Sequence, residues 1–145
     1  MRRLTRIIVA GVLTAIVLGG ATGAFAATGY KYTVTLKPVN VKNSKGTPVA
    51  LATGTATVTL YPVRRQLCYS ITVHGIKLPA TAAHITTSSG TTVATLTAPG
   101  KTGRSVGCTH HALSRTIINT IHGSPTHYLL TVNSTNPSVV LHGTL

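Results

Sequence analysis

Two neighbouring stretches alternate strictly between apolar and polar residues, and that period of two constrains the fold more than anything else in the chain. In TGTATVTLYPV (53–63), Val58 and Leu60 fall on one face, while Thr57, Thr59 and Tyr61 fall on the other. In QLCYSITVHGI (66–76), Leu67, Tyr69, Ile71 and Val73 share one face, and Cys68, Ser70, Thr72 and His74 share the opposite one. Side chains along a strand point alternately to its two sides, so such segments are strands with one buried face. Arg64 and Arg65 occupy the short link between them, which predicts a hairpin.

Five further stretches read as strands: 30–36, 81–87, 91–97, 127–134 and 138–145. Residues 37–50 carry Pro38, Asn43, Gly46 and Pro48 and read as a loop, as does the glycine-containing segment 98–107. One segment has a different period. Leu113, Ile117, Ile118 and Ile121 recur at helical spacing, Thr109 can cap the start, and Gly123 with Pro125 stops the run, so a short helix is expected over 110–121. Short strands at regular spacing predict a mainly all-β fold, a sandwich or barrel with one short helix.

The start of the chain, MRRLTRIIVAGVLTAIVLGGATGAFA, has the layout of a secretory signal. A positive start (Arg2, Arg3, Arg6) precedes an apolar run, and Ala24-Phe25-Ala26 supplies the small-x-small cleavage pattern. The apolar run is short for a span of roughly 20 residues. Cleavage after Ala26 is expected, leaving 27–145 as one domain with no membrane span. An uncleaved anchor is the alternative. In an oxidising compartment the even pair Cys68 and Cys108 reads as one disulfide, with two buried free thiols as the alternative. A bridge closing about 40 residues stabilises by roughly 3–4 kcal/mol in the chain-entropy model.

Composition removes whole classes of chemistry. The chain has 13 Lys and Arg and no Asp or Glu. Paired-carboxylate glycoside hydrolysis, EF-hand calcium binding, HExxH metalloprotease chemistry and a full Ser-His-Asp triad all need side chains that are missing. Ser70 and His74 lie too far apart on an extended strand to act as a nucleophile–base pair. The unopposed cations, scattered from Lys31 to Arg115, suit anionic polymers or an acidic medium.

The order of segments resembles the chordin-type (CHRD) domain family. The resemblance rests on ATGTATVTLYPVRRQLCYSITVHGIKLPATAAHIT, TTVATLTAP, GCTHHALSRTIINTIHGSPTHYLLTVNS and VVLHGTL, which cover most of 52–145. Its carriers here are Cys68-Tyr69, Pro79 through Thr86, Gly107-Cys108, Pro125 to Tyr128, and His142-Gly143-Thr144-Leu145. The resemblance implies an immunoglobulin-like or superoxide-dismutase-like β-sandwich or barrel. This sequence departs from the family pattern at three polar positions. A His-Ile-His becomes His84-Ile85-Thr86, a Val-His-Thr becomes Val132-Asn133-Ser134, and a terminal Arg becomes His142.

Those departures bear on function. Residues 84 and 86 share a strand face roughly 6–7 Å apart, where two histidines could hold a metal, but a threonine hydroxyl is a poor substitute for imidazole. His84, Thr86, Tyr128 and Gly143 are therefore read as structural motif positions, and no metal site, cofactor or catalytic residue is expected. His110-His111 cannot both face one way on a helix, and His122 and His127 flank a turn where they could meet. The preferred reading is a secreted, non-enzymatic CHRD-like domain, outside the cell or at its envelope, with anionic envelope polymers or another extracellular protein as partner. The alternative is a metal-binding or redox protein on a dismutase-like barrel using His84. Few aromatics mean no stacking platform, so no specific nucleic acid partner is expected.

Acid denaturation largely reflects carboxylates that are paired in the folded state. With none on the side chains, the melting temperature should change little between about pH 5 and pH 2, apart from any histidine buried in its neutral form. Calorimetry across that range checks this; a steep loss below about pH 4.5 contradicts it.

Overall fold

The computed structural model describes residues 28–39, 52–135 and 138–145. The expected signal peptide (1–26) and the greater part of the expected loop at 37–50 lie outside the described residues. Among the described residues, eight antiparallel strands run in chain order as β1 (Tyr30–Val39), β2 (Thr53–Tyr61), β3 (Gln66–His74), β4 (Ala82–Thr87), β5 (Thr92–Leu96), β6 (Arg104–His110), β7 (Tyr128–Thr135) and β8 (Ser138–Thr144). The one α-helix among the described residues, α1 (Arg115–Gly123), lies between β6 and β7. The strands form one sheet in the order β5-β4-β7-β8-β1-β2-β3-β6, curled into a nearly closed barrel. The all-β expectation, with one short helix, holds.

β1 belongs to both halves of this sheet. Tyr30 to Leu36 pair with β2, from Tyr30 opposite Leu60 to Leu36 opposite Gly54. From Lys37 onward the strand changes partner, and Lys37, Pro38 and Val39 oppose His142, Leu141 and Val140 of β8. This corrects the reading of 37–39 as loop. Pro38 sits where the only pairing among the described residues is with β8, a one-sided position where a missing N–H costs a sheet least.

The β2–β3 hairpin is paired from Thr53–His74 to Tyr61–Gln66, as the alternation predicts. β6 is the second correction, because 98–107 reads as loop. Its inward positions hold Ser105, Gly107 and Thr109 rather than apolar residues, so no hydrophobic alternation marks it. It is nonetheless paired with β3 from Gln66–His110 to Thr72–Arg104.

The helix begins later than its expected 110–121 span. Thr109 and His110 are the end of β6, and the cap is Ser114, whose hydroxyl accepts the Ile117 N–H at 3.1 Å. Ile118 and Ile121 are fully buried, whereas Ile117, assigned to the apolar face by its spacing, is 39% exposed. The helix ends at Gly123, and Pro125 opens a 3₁₀ turn running to His127, so the expected stop signals hold. The inward faces of the strands meet in one core that includes Leu36, Leu60, Leu67, Ile71, Ile85, Leu130 and Leu141. Each such side chain contributes about 1.5–3 kcal/mol by leaving water.

β8 crosses β1 closely where β1 changes partner. A Cβ on Gly143 would run into the Thr35 carbonyl oxygen and lie 2.5 Å from Cγ1 of Val34. Backbone cannot step aside as a flexible side chain can. Gly143→Ala should therefore cost about 2–3 kcal/mol of unfolding free energy. Gly100→Ala, with open space at its Cβ position, should cost under about 0.5 kcal/mol. Denaturant midpoints compare the two; equal midpoints would mean that β1 yields at the crossing.

Candidate functional site

The dipeptides Cys68-Tyr69 and Gly107-Cys108 lie opposite each other across β3 and β6. Cys68 pairs with Cys108 and Tyr69 with Gly107. Alternation then places one pair outside the barrel and the other inside. Outside, Cys68 and Cys108 form the expected disulfide, with their Cα atoms 4.0 Å apart. Inside, the Tyr69 ring passes over Gly107, where a Cβ would come 2.7 Å from the phenol oxygen.

That phenol accepts the Thr97 N–H at 2.9 Å, and the Ser105 hydroxyl donates to the Thr97 carbonyl at 2.7 Å. Thr97 follows β5, one edge of the sheet, while Ser105 lies on β6, the other edge. Two side chains thus hold the seam that no strand ladder spans. The motif closes the barrel.

The other motif positions lie on the β4-β7-β8 half. His84 and Thr86 are on the outer face of β4, although a bulge between Ile85 and Thr86 shifts Thr86 opposite Thr92. His84 lies between Thr95 of β5 and Thr131 of β7. His142 comes next beyond Thr131, and Lys37 of β1 beyond that. The Nδ1 atom of His84 and the Oδ1 atom of Asn133, two residues along β7 from Thr131, are buried without a hydrogen-bond partner. Among the described residues, no group of three or more His, Cys, Asp or Glu gathers closely enough to hold a metal ion. Tyr128 is buried, and its carbonyl accepts the Leu145 N–H at 3.1 Å, which pins the end of β8.

The remaining histidines are used in ways their spacing does not reveal. His122 stacks on Tyr30, ring centroids 3.4 Å apart, and its Nδ1 lies 3.0 Å from the Tyr32 hydroxyl, so it anchors α1 to β1. Burial, and then the neighbouring Tyr30, hold the Tyr32 phenol above the usual value of 10.0. His127 turns its carbonyl to the Ser88 N–H. His110 and His111 are not helical. His110 lies 3.1 Å from the Gln66 amide nitrogen, and Arg65 donates to Nδ1 of His111 at 3.2 Å.

This last pair forms a basic tip at one end of β3. Both partners have left-handed backbones, Arg65 at φ 50° and His111 at φ 55°, uncommon for residues other than glycine. Beside them the Arg64 guanidinium lies 5.8 Å from the centre of the Tyr61 ring. The outer faces of β2, β3 and β6 continue from the tip as rows of hydroxyls, Thr59–Cys68–Cys108, then Thr57–Ser70–Val106, then Thr55–Thr72–Arg104. A shallow depression of about 250 Å³ lies in the middle, over the disulfide, between Thr57, Thr59, Ser70 and Val106. In the sequence Arg64 and Arg65 read only as the link of a hairpin, and nothing there marks this face as a site. The assembly from β6 was hidden because β6 reads as loop.

Fold and site define a mainly β, nearly closed barrel that carries one disulfide on its outer face. A family model described as the CHRD domain matches residues 32–142, most of the chain, and the chain belongs to that family. The match reaches β1, beyond the 52–145 stretch that carries the visible resemblance. β1 is the strand that joins the two halves. No curated protein and no solved structure matches the chain.

The seam predicts a measurable loss. Tyr69→Phe keeps the ring over Gly107 but removes the acceptor for the Thr97 N–H. It should lower stability by about 1 kcal/mol, read from urea midpoints. An unchanged midpoint would mean that water serves Thr97 equally well.

Proposed function

We propose that this chain is an exported, non-enzymatic CHRD module that binds anionic polymers outside the cell or at its envelope. One observation carries the reading. Every lysine and arginine among the described residues is exposed, and the sequence contains no carboxylate side chain to neutralise any of them. A surface of one sign raises the local concentration of oppositely charged chains. The disulfide fits an oxidising compartment, and no described helix is long and apolar enough to cross a membrane. The signal-like layout of residues 1–26 supports export.

The metal-binding or redox reading has one observation in its favour, the buried and unpartnered Nδ1 of His84. Its outer-face neighbours Thr86, Thr95 and Thr131 are poor ligands for copper or zinc. A stoichiometric zinc or copper isotherm abolished by His84→Ala would restore it.

Binding to isolated cell-envelope polymers should be strong at low ionic strength and weaken at least about tenfold near molar salt, where charges are screened beyond roughly 3 Å. Titration at both salt concentrations checks this. Absence of binding at low salt would refute the polymer reading and direct the search to a protein partner.

A further inference from the structure

We infer that the outer face of β2, β3 and β6 is the binding track, and that its polymer is an acidic polysaccharide. This rests on the reading of the domain as a binder of anionic polymers and adds the site and the ligand class. Charge marks the two ends of the track. At one end are Arg64 and Arg65, both exposed, with His111 accepting a hydrogen bond from Arg65. At the other is Arg104, exposed and opposite Thr72. Six residue steps along β3, from Gln66 beside the tip to Thr72 opposite Arg104, separate the two ends, about 20 Å of strand. Lys31 flanks the track in the row of Thr59 and the disulfide.

Between the cations the surface is suited to sugar. Neighbouring strands are about 4.8 Å apart and alternate residues about 6–7 Å, so the hydroxyls of Thr57, Thr59, Ser70 and Thr72 form a two-dimensional array of donors and acceptors. Ring hydroxyls can use both roles of each group. The depression is floored by the disulfide and edged by Val106, which is 71% exposed. An isolated apolar patch inside a hydroxyl array fits the C–H face of a pyranose ring. Carboxylate or sulfate groups on the same chain would meet the arginines, where a planar guanidinium offers paired donors.

The chemistry disfavours other polyanions. The aromatic ring on this face, Tyr61, is already associated with Arg64, so bases find no stacking platform. A polyphosphate would leave the hydroxyl array unused. The opposite outer face, around His84 and Thr131, bears Lys37 at its border and supplies the control.

The test is calorimetric titration of the full chain with polygalacturonate at low salt, alongside neutral dextran, polyphosphate and single-stranded DNA. Thermal melts of each variant confirm folding. The paired substitution Arg65→Gln with Arg104→Gln should weaken polygalacturonate binding about tenfold or more, and Thr57→Val about threefold, while Lys37→Gln changes it less than about twofold. Loss in Lys37→Gln equal to that in the paired variant would overturn the site, and equal affinity for polyphosphate or DNA would overturn the ligand class. Either result leaves the general polymer reading standing. Failure of the unaltered chain to bind any of the polyanions would overturn both.

Discussion

The change of partner within β1 is the constraint on which the rest of the barrel depends. A strand can pair with different neighbours along different stretches of its length. β1 does so by pairing with β2 along its first seven residues and with β8 along its last three. The bend at Leu36–Lys37 turns the four strands on one side toward the five on the other, counting β1 in both. It also brings the backbone of β8 against that of β1, which is why position 143 holds no side chain. Everything downstream follows from this turn. The two apolar faces meet, the edges β5 and β6 approach each other, and a seam remains that Tyr69, Ser105 and Thr97 close.

Family membership and chemistry are connected through that seam. Cys-Tyr and Gly-Cys are remote in sequence, and the signature they make could suggest a reactive centre. In the folded chain they are two consecutive rungs of one ladder, a covalent rung outside and a packed, hydrogen-bonded rung inside. Structural duty absorbs them. The positions free to act on a partner are those on the outer faces, where threonine hydroxyls lie beside cations that no carboxylate side chain neutralises.

Strand existence and facing were largely legible. The buried alternation of β2 and β3 follows the pattern residue by residue, because a two-residue period is a local property. What escaped had no local mark. β6 turns serine, glycine and threonine inward because Tyr69 fills the space in front of Gly107, so its burial depends on a side chain from another strand. The helix starts at Ser114 rather than near Thr109 because pairing with β3 keeps 104–110 extended. His122 reaches Tyr30 and Tyr32, 90 residues from the latter, and no spacing rule could connect them.

The sequence by itself determined a mainly β chain with one short helix, marked its cysteines for bonding, and removed carboxylate chemistry from its repertoire. Those are consequences of residue type and of periodicity over a few neighbours. Tertiary structure alone decided which strand joins the halves, what closes the seam, and that Arg64, Arg65, His111 and Arg104 border one hydroxyl-lined face. These depend on register between distant segments. Register is set by how all the buried faces fit together at once, and no single segment carries that information.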